Sequence, residues 1–289
     1  MNRIPWKDAL AREKPLLLPV AHDALTARLI ERAGFSAYQV GGFALSGSLY
    51  AVPDMEIEHY ADASAAVRRI IQASPLPVLI DADDGYGDAK NVTWVIRGYE
   101  ALGVSGVFIE DQKGPKRCGH MAGKEVVPRS AMIAKIKAAL DDRANRDFFI
   151  LARTDAIEPL GLDEAIARGK ACLEAGADGV YVEGPRNEDE LERIGRELGS
   201  APLATSILER GGKTPWTDPT TMGEMGYSMI LYPTTTIFAL TRRTECALAN
   251  LRAGKPLCKD AVTMDQFEEI MSIKQWQSID EKFKESRAR

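Results

Sequence analysis

Short apolar runs of four or five residues alternate along the chain with longer stretches in which apolar residues recur every three or four positions. The first pattern suits strands buried on both faces and the second suits amphipathic helices. The short runs predict strands at Leu16–Val20, Ala37–Gly41, Pro77–Ile80, Gly106–Ile109, Phe148–Ala152, Gly179–Val182, Pro202–Thr205 and Met229–Tyr232. The longer ones predict helices at Ala24–Ala33, Asn91–Leu102, Arg129–Leu140, Leu162–Ala175, Glu188–Leu198 and Ile237–Leu251. Gly34, Gly103 and Gly176 stand where helix C-caps are expected. Strands that mostly alternate with helices predict an α/β fold with a parallel sheet and crossover helices. Eight such strands in 289 residues favour a closed (β/α)8 TIM-type barrel over an open doubly wound sheet. No GxGxxG follows the first strand, which also counts against the open sheet. The chain is expected to form a single barrel domain over 1–289. Its tail, Thr263–Phe283, carries Phe267, Ile270, Met271, Ile273 and Trp276 in a helical pattern. This predicts a long C-terminal helix that packs on its own barrel or on a neighbouring subunit.

Composition narrows the function classes. The chain is 45% hydrophobic, enough for a sizeable core, and its formal net charge of -5 offers no bulk attraction for nucleic acid. No apolar stretch approaches the ~18 residues of a membrane span, so neither nucleic acid nor membrane is an expected partner. The opening MNRIPWKDALAREK is polar and lacks the apolar region of a signal peptide. Cys118, Cys172, Cys246 and Cys258 are scattered with no CxxC pair, which suits a reducing, cytoplasmic setting.

Candidate chemistry collects at the C-terminal ends of the predicted strands, which in a barrel converge on one mouth. Asp81, Asp83 and Asp84 follow the third strand, Glu110 the fourth, Arg153 the fifth and Glu183 the sixth. One such acid commonly caps a helix. A set aimed at one mouth repels itself unless a cation sits within it, and oxygen-only ligands suit Mg²⁺ or Mn²⁺. Lys116-Arg117-Cys118-Gly119-His120 forms a polar loop after the fourth strand, between Gly114-Pro115 and Gly123-Lys124. Neighbouring cations lower a thiol pKa, the polar setting argues against burial of Cys118, and the glycines suit a loop that closes over substrate. Cys172 and Cys246 lie in helical patterns, and His22 and His59 are isolated, so structural roles are expected for these. Gly41-Gly42 after the second strand offers backbone N–H groups to a carboxylate.

Together these residues resemble the isocitrate lyase / phosphoenolpyruvate mutase superfamily, in its short 2-methylisocitrate lyase, 2,3-dimethylmalate lyase and carboxyphosphonoenolpyruvate phosphonomutase group. The landmarks are Gly47-Ser48-Leu49 to Pro53-Asp54, DADDGYG (81–87), EDQKGPKRCGH (110–120), ARTDA (152–156), GGKTPW (211–216) and Tyr232-Pro233. The resemblance implies a barrel whose last helix is swapped within a homotetramer. It implies Mg²⁺ (or Mn²⁺) held through Asp81, Asp83 and Glu110, partly through water. It implies that Tyr38, Gly41 and Gly42 hold a small 2-oxo acid, that Arg153 contacts its oxygens, and that Cys118 is the catalytic acid, with His120 beside it. Arg117, Gly119, Glu183, Ser206 and Phe238 are expected to line the substrate site. Val40 stands where the group usually has Ser or Thr, Phe238 near where the tricarboxylate lyases have Arg, and Ser206 near a common Asn. An apolar Phe238 favours an alkylated malate over a tricarboxylate. The implied activity is a C–C lyase acting on a small carboxylic acid. Phosphonomutase-type P–C bond formation, oxaloacetate hydrolysis or decarboxylation, and a catalytically silent binding barrel are the alternatives.

Overall fold

The computed structural model describes residues 3–284. Its strands are β1 (Leu16–Pro19), β2 (Tyr38–Val40), β3 (Val78–Asp81), β4 (Gly106–Glu110), β5 (Phe149–Thr154), β6 (Gly179–Val182), β7 (Leu203–Ser206) and β8 (Met229–Tyr232). The sheet order is β1-β8-β7-β6-β5-β4-β3-β2, and every ladder is parallel. β1 and β2 close the ring by a lighter seam. There, Val20 and Gln39 form an isolated bridge, Ala21 N donates to Gln39 O at 2.8 Å, and Gln39 Nε2 donates to Leu18 O at 3.2 Å. The result is a nearly closed (β/α)8 barrel.

The helices are α1 (Trp6–Arg12), α2 (Ala24–Arg32), α3 (Gly42–Tyr50), α4 (Tyr60–Ile71), α5 (Ala89–Leu102), α6 (Arg129–Asp142), α7 (Ile157–Leu160), α8 (Leu162–Glu174), α9 (Glu188–Leu198), α10 (Pro219–Glu224), α11 (Thr235–Arg252), α12 (Met264–Ile270) and α13 (Ile273–Lys282). Their starts have local causes. Asp23, Asp88 and Asn187 accept hydrogen bonds from first-turn N–H groups of α2, α5 and α9. Gly103 ends α5 at φ 82°, a left-handed position that favours glycine.

Alternation along each strand sorts the side chains. Leu16, Leu18, Leu79, Phe108, Leu151, Tyr181, Ala204 and Leu231 belong to one buried cluster filling the barrel. The alternate positions, such as Tyr38, Val40, Ile80, Ile109 and Ile150, pack outward against helices.

The chain divides into two compact units, Met1–Phe238 and Ala239–Arg289. The second unit contains most of α11 and the helices α12 and α13. The single helix expected over 263–283 is broken. α12 ends at Ile270 with Met271 as its C-cap, Ser272 takes a left-handed φ of 57°, and α13 restarts with Gln275 N donating to Ser272 O. A serine that competes for backbone hydrogen bonds is a natural break point. Among the described residues, no helix is long and apolar enough to cross a membrane.

Candidate active site

The alternation that fills the barrel also builds its mouth. Two residues beyond Leu79, Phe108, Leu151, Tyr181 and Ala204, on the same face of their strands, come Asp81, Glu110, Arg153, Glu183 and Ser206. All five polar residues are largely buried, Asp81 least completely. A cavity of about 40 Å³ lies among them, lined by Gln39, Gly41, Gly42, Phe43, Asp54, Asp81, Phe108, Cys118, Gly119, His120, Arg153, Tyr181, Glu183, Ser206, Leu208 and Pro233. That volume holds roughly three waters, less than a dicarboxylic acid occupies, so the cover over it must move for such a ligand to enter.

One side of the mouth is rich in acids. Asp81 Oδ2 accepts from Gly42 N at 3.1 Å, and its Oδ1 accepts from Asp83 N at 3.0 Å. Lys116 Nζ lies 2.5 Å from Asp54 Oδ1 and 2.5 Å from Asp83 Oδ1. Glu110 Oε2 meets Arg153 Nη1 at 3.2 Å, while its Oε1 is buried without a hydrogen-bond partner. Burial, reinforced by Asp83, pushes the Asp81 carboxyl up to about 7. Burial also drives Glu110 well above the usual carboxylate range, against the pull of Arg153. An orphaned carboxylate oxygen and two strongly raised acids mark a cluster short of positive charge. Its all-oxygen donor set fits a hard divalent ion such as Mg²⁺ or Mn²⁺. Among the described residues, no three His, Cys, Asp or Glu side chains are spaced to hold an ion unaided. Such an ion would keep water ligands, as Mg²⁺ commonly does.

The other side is saturated. Arg153 donates through Nε and Nη2 to Asp155 at 2.9 and 3.1 Å, and its guanidinium lies 5.1 Å from the Tyr181 ring centroid. Lys124 Nζ donates to Asp155 Oδ1 at 2.9 Å and also to Gly119 O. Glu183 accepts from Ser206 Oγ at 2.9 Å and pairs with His120 Nε2 at 2.9 Å. His120 Nδ1 accepts from Lys213 N at 2.9 Å, which places the ring proton on Nε2, facing Glu183. Burial alone would raise both acids. Instead His120, Arg153 and Lys124 hold Glu183 below the usual range, and Arg153 and Lys124 do the same for Asp155.

The Lys116–Lys124 loop is thus tied down at both ends, and its centre covers the cavity. Gly119 is a steric requirement there, since a Cβ would lie 2.5 Å from both Arg153 Nη2 and Glu183 Oε1. Cys118 lines the cavity, and its backbone N donates to Asp54 O at 3.1 Å. Its thiol is buried, contrary to the expectation of an exposed, acidified cysteine. Burial first, and the Asp54 charge after it, push the thiol up to about 12, because Lys116 turns to the acids and not to the sulfur.

Residues 7–252 match the family model described as phosphoenolpyruvate phosphomutase. The chain belongs to the phosphoenolpyruvate phosphomutase family. It is 37% identical over 280 residues to a 2,3-dimethylmalate lyase of Eubacterium barkeri, covering 96% of both chains. It is 36% identical to a chloroplastic carboxyvinyl-carboxyphosphonate phosphorylmutase of Arabidopsis thaliana, covering 93% of this chain and 80% of that one. Its fold superposes on a phosphonopyruvate hydrolase solved with oxalate and Mg²⁺, with a TM-score of 0.86, 28% identity and coverage of 96% and 97%.

For this member of the phosphomutase family, most of the expected site residues share the one mouth. Gly41, Gly42, Asp81, Cys118, Gly119, His120, Arg153, Glu183 and Ser206 line the cavity, and Asp83 and Glu110 stand directly behind it. Tyr38 does not join them. It packs in the outer core, near Arg3, and the inward residue of β2 is Gln39. Arg117 is exposed and bonds Ala122 O at 3.3 Å, so its side chain does not line the cavity, and the loop cation beside the acids is Lys116. Phe238 stands behind the wall, edge-on to the cavity residue Phe43 at 6.0 Å. Four charged residues that were given no role in the site, Asp54, Lys116, Lys124 and Asp155, also pair with one another and with Asp83 and Arg153 around the mouth. Strand parity alone would have found Gln39, because Tyr38 and Val40 share the opposite face.

Proposed function

We propose that this protein is a magnesium-dependent carbon–carbon lyase. It cleaves a substituted malate or methylisocitrate-like 2-hydroxy diacid to a 2-oxo acid and a saturated carboxylic acid. The observation that carries this reading is the Cys118 thiol, buried and held protonated over a cavity that also presents Asp81 and Arg153. Loss of the 2-hydroxyl proton to a base forms the new C=O as the C2–C3 bond breaks, and the bond's electron pair leaves on the other fragment as an enolate-type carboxylate, a strong base that needs a proton donor and shelter from water. A thiol whose pKa is about 12 stays a donor at neutral pH, and the loop residues Cys118, Gly119 and His120 that line the cavity limit its contact with solvent.

Asp81, Asp83 and Glu110 would hold the ion, which when bound supplies Lewis-acid polarisation of the 2-oxygen. The remaining work falls to the chain's own groups. Arg153, fixed by Asp155 and Glu110, presents a rigid positive charge to developing negative charge. Gly41 and Gly42 open the nine-residue helix α3, whose N-terminus favours a carboxylate. Glu183, Ser206 and His120 hold the loop in register beneath Lys213.

Phe43, Leu208 and Pro233 give the cavity an apolar side, and Arg153, already paired twice, is its one Lys or Arg among the described residues. That wall suits alkyl substituents better than the dianionic phosphonate of P–C bond chemistry. The similarity to a 2,3-dimethylmalate lyase points the same way. An NMR assay with Mg²⁺ against 2,3-dialkylmalates, 2-methylisocitrate, oxaloacetate and phosphonopyruvate tests it. A 2-oxo acid appearing with a saturated acid supports the lyase, whereas turnover of phosphonopyruvate alone overturns it.

The working form is proposed to be a homotetramer in a reducing, cytoplasmic setting. In the second unit, Leu248, Leu251, Met264 and Trp276 are exposed and offer apolar surface to other copies. Light scattering on the purified protein gives the subunit number directly.

A further inference from the structure

The acid-rich side of the mouth already contains one cation, and that cation arrives on the loop. Lys116 Nζ is 2.5 Å from carboxylate oxygens of both Asp54 and Asp83, and all three side chains are at least nine-tenths buried. A Cβ placed on Gly42 would lie 3.3 Å from Lys116 Nζ and 3.5 Å from both Asp81 Oδ2 and Asp83 Oδ1. The ammonium, Asp81 and Asp83 therefore converge on one small volume above Gly42. The loop that carries Lys116 is also the cover that must move before a diacid can enter.

We propose that Lys116 is a built-in counter-ion that competes with the divalent cation for Asp83 and Asp81, so that loop closure weakens metal binding and metal binding favours loop opening. The proposal rests on the metal reading above. Its physical basis is like-charge repulsion: even with the screening of bulk water, a unit charge and a divalent ion about 5 Å apart oppose each other by a factor of roughly ten in affinity. Linkage makes the effect reciprocal, because whatever the closed loop costs the metal, the metal costs the closed loop. Metal affinity would then report the position of the loop. The ion would bind most tightly to the open protein that receives substrate, and substrate would have to supply the negative charge that lets both cations stay when the loop closes.

The test is calorimetric titration of the metal-free, full-length protein with Mn²⁺ alone. Lys116→Met should bind Mn²⁺ at least tenfold more tightly than wild type, and Lys116→Arg, which keeps the charge, should stay within about threefold of it. Lys124→Met leaves Lys116 in place but frees the loop from Asp155, and should tighten Mn²⁺ binding by an intermediate factor. Mn²⁺ should also speed tryptic cleavage within residues 113–124 of the wild type, followed by mass spectrometry. Equal or weaker binding by Lys116→Met, or protection of the loop by Mn²⁺, overturns the proposal while leaving the metal site intact. If Mn²⁺ binds neither wild type nor any variant, the metal reading itself fails. Should Lys116→Met not fold, Lys124→Met and the proteolysis of wild type still decide the matter.

Discussion

Two clusters of buried charge share one mouth, and they are balanced in opposite ways. Around Asp81, Asp83 and Glu110 the acids outnumber the cations, a carboxylate oxygen is left without a partner, and Asp81 and Glu110 sit far above the usual carboxylate range. Around Asp155 and Glu183 nearly every oxygen has a donor, and both acids are held low. The difference separates two tasks. A saturated cluster is a fastener, since its groups gain nothing by rearranging. An under-neutralised cluster is a receptor, because an added cation relieves its strain. Arg153 belongs to both, with one arm on Glu110 and two on Asp155.

The comparison is broken most severely at that shared residue. Arg153→Met leaves Glu110 and Asp155 without their main cation, and should cost about 3–5 kcal/mol of stability in urea unfolding, with turnover reduced by roughly a thousandfold or more. A loss under about 1 kcal/mol would show that the two clusters do not depend on it. Asp155→Asn attacks the saturated side alone. It should cost about 2–3 kcal/mol and raise KM and lower kcat together, because both Arg153 and Lys124 lose their anchor. A variant as stable as wild type would remove the fastener reading.

Cys118→Ser leaves both clusters intact. Turnover should fall roughly a hundredfold, while stability at neutral pH changes by less than about 1 kcal/mol. Unchanged turnover would exclude Cys118 as the acid. The smallest effect is a pH dependence of that same pair. Burial lifts the folded thiol to about 12, above its unfolded value, so its contribution is complete below the unfolded pKa and is lost as pH rises toward 12. The stability of wild type relative to Cys118→Ser should therefore fall by about 1–1.5 kcal/mol between pH 8.5 and 10. A constant difference would mean that the thiol is not shielded.

Much of this was legible in the sequence where one physical signal dominated. β6, β8 and α9 lie where periodicity placed them, since an apolar run bounded by turn residues and a capped amphipathic stretch have few other solutions. α3 was read only as a Gly-Gly anion site, because Gly42-Phe-Ala-Leu-Ser-Gly-Ser has neither an amphipathic face nor a side-chain cap. It is a helix whose first turn is those glycines. α4 hides its start in a His59–Asp62 capping box, an unusual pair for that role. In the site, residues at strand ends were placed well, because strand parity and barrel closure fix them. In the loop, Cys118, Gly119 and His120 line the cavity as expected, whereas Arg117 does not. Nothing local tells Lys116 from Arg117, and only the tertiary position of Asp54 and Asp83 draws the lysine inward. Tyr38 was expected in the site from the family resemblance alone, although parity with Val40 sends it to the outer layer.

The seam between β1 and β2 has a consequence of its own. β4 and β5 are paired over five consecutive residues, whereas β1 and β2 meet through the Val20–Gln39 bridge and the Gln39 side chain. The free energy of local opening follows such differences, so amides near Gln39 should exchange with solvent deuterium well before those of β4 and β5. Gln39 also lines the cavity. The barrel is therefore expected to open most easily beside this cavity, and a bound ligand that braces Gln39 should be visible as slowed exchange along that one joint as well as in the loop across the cavity.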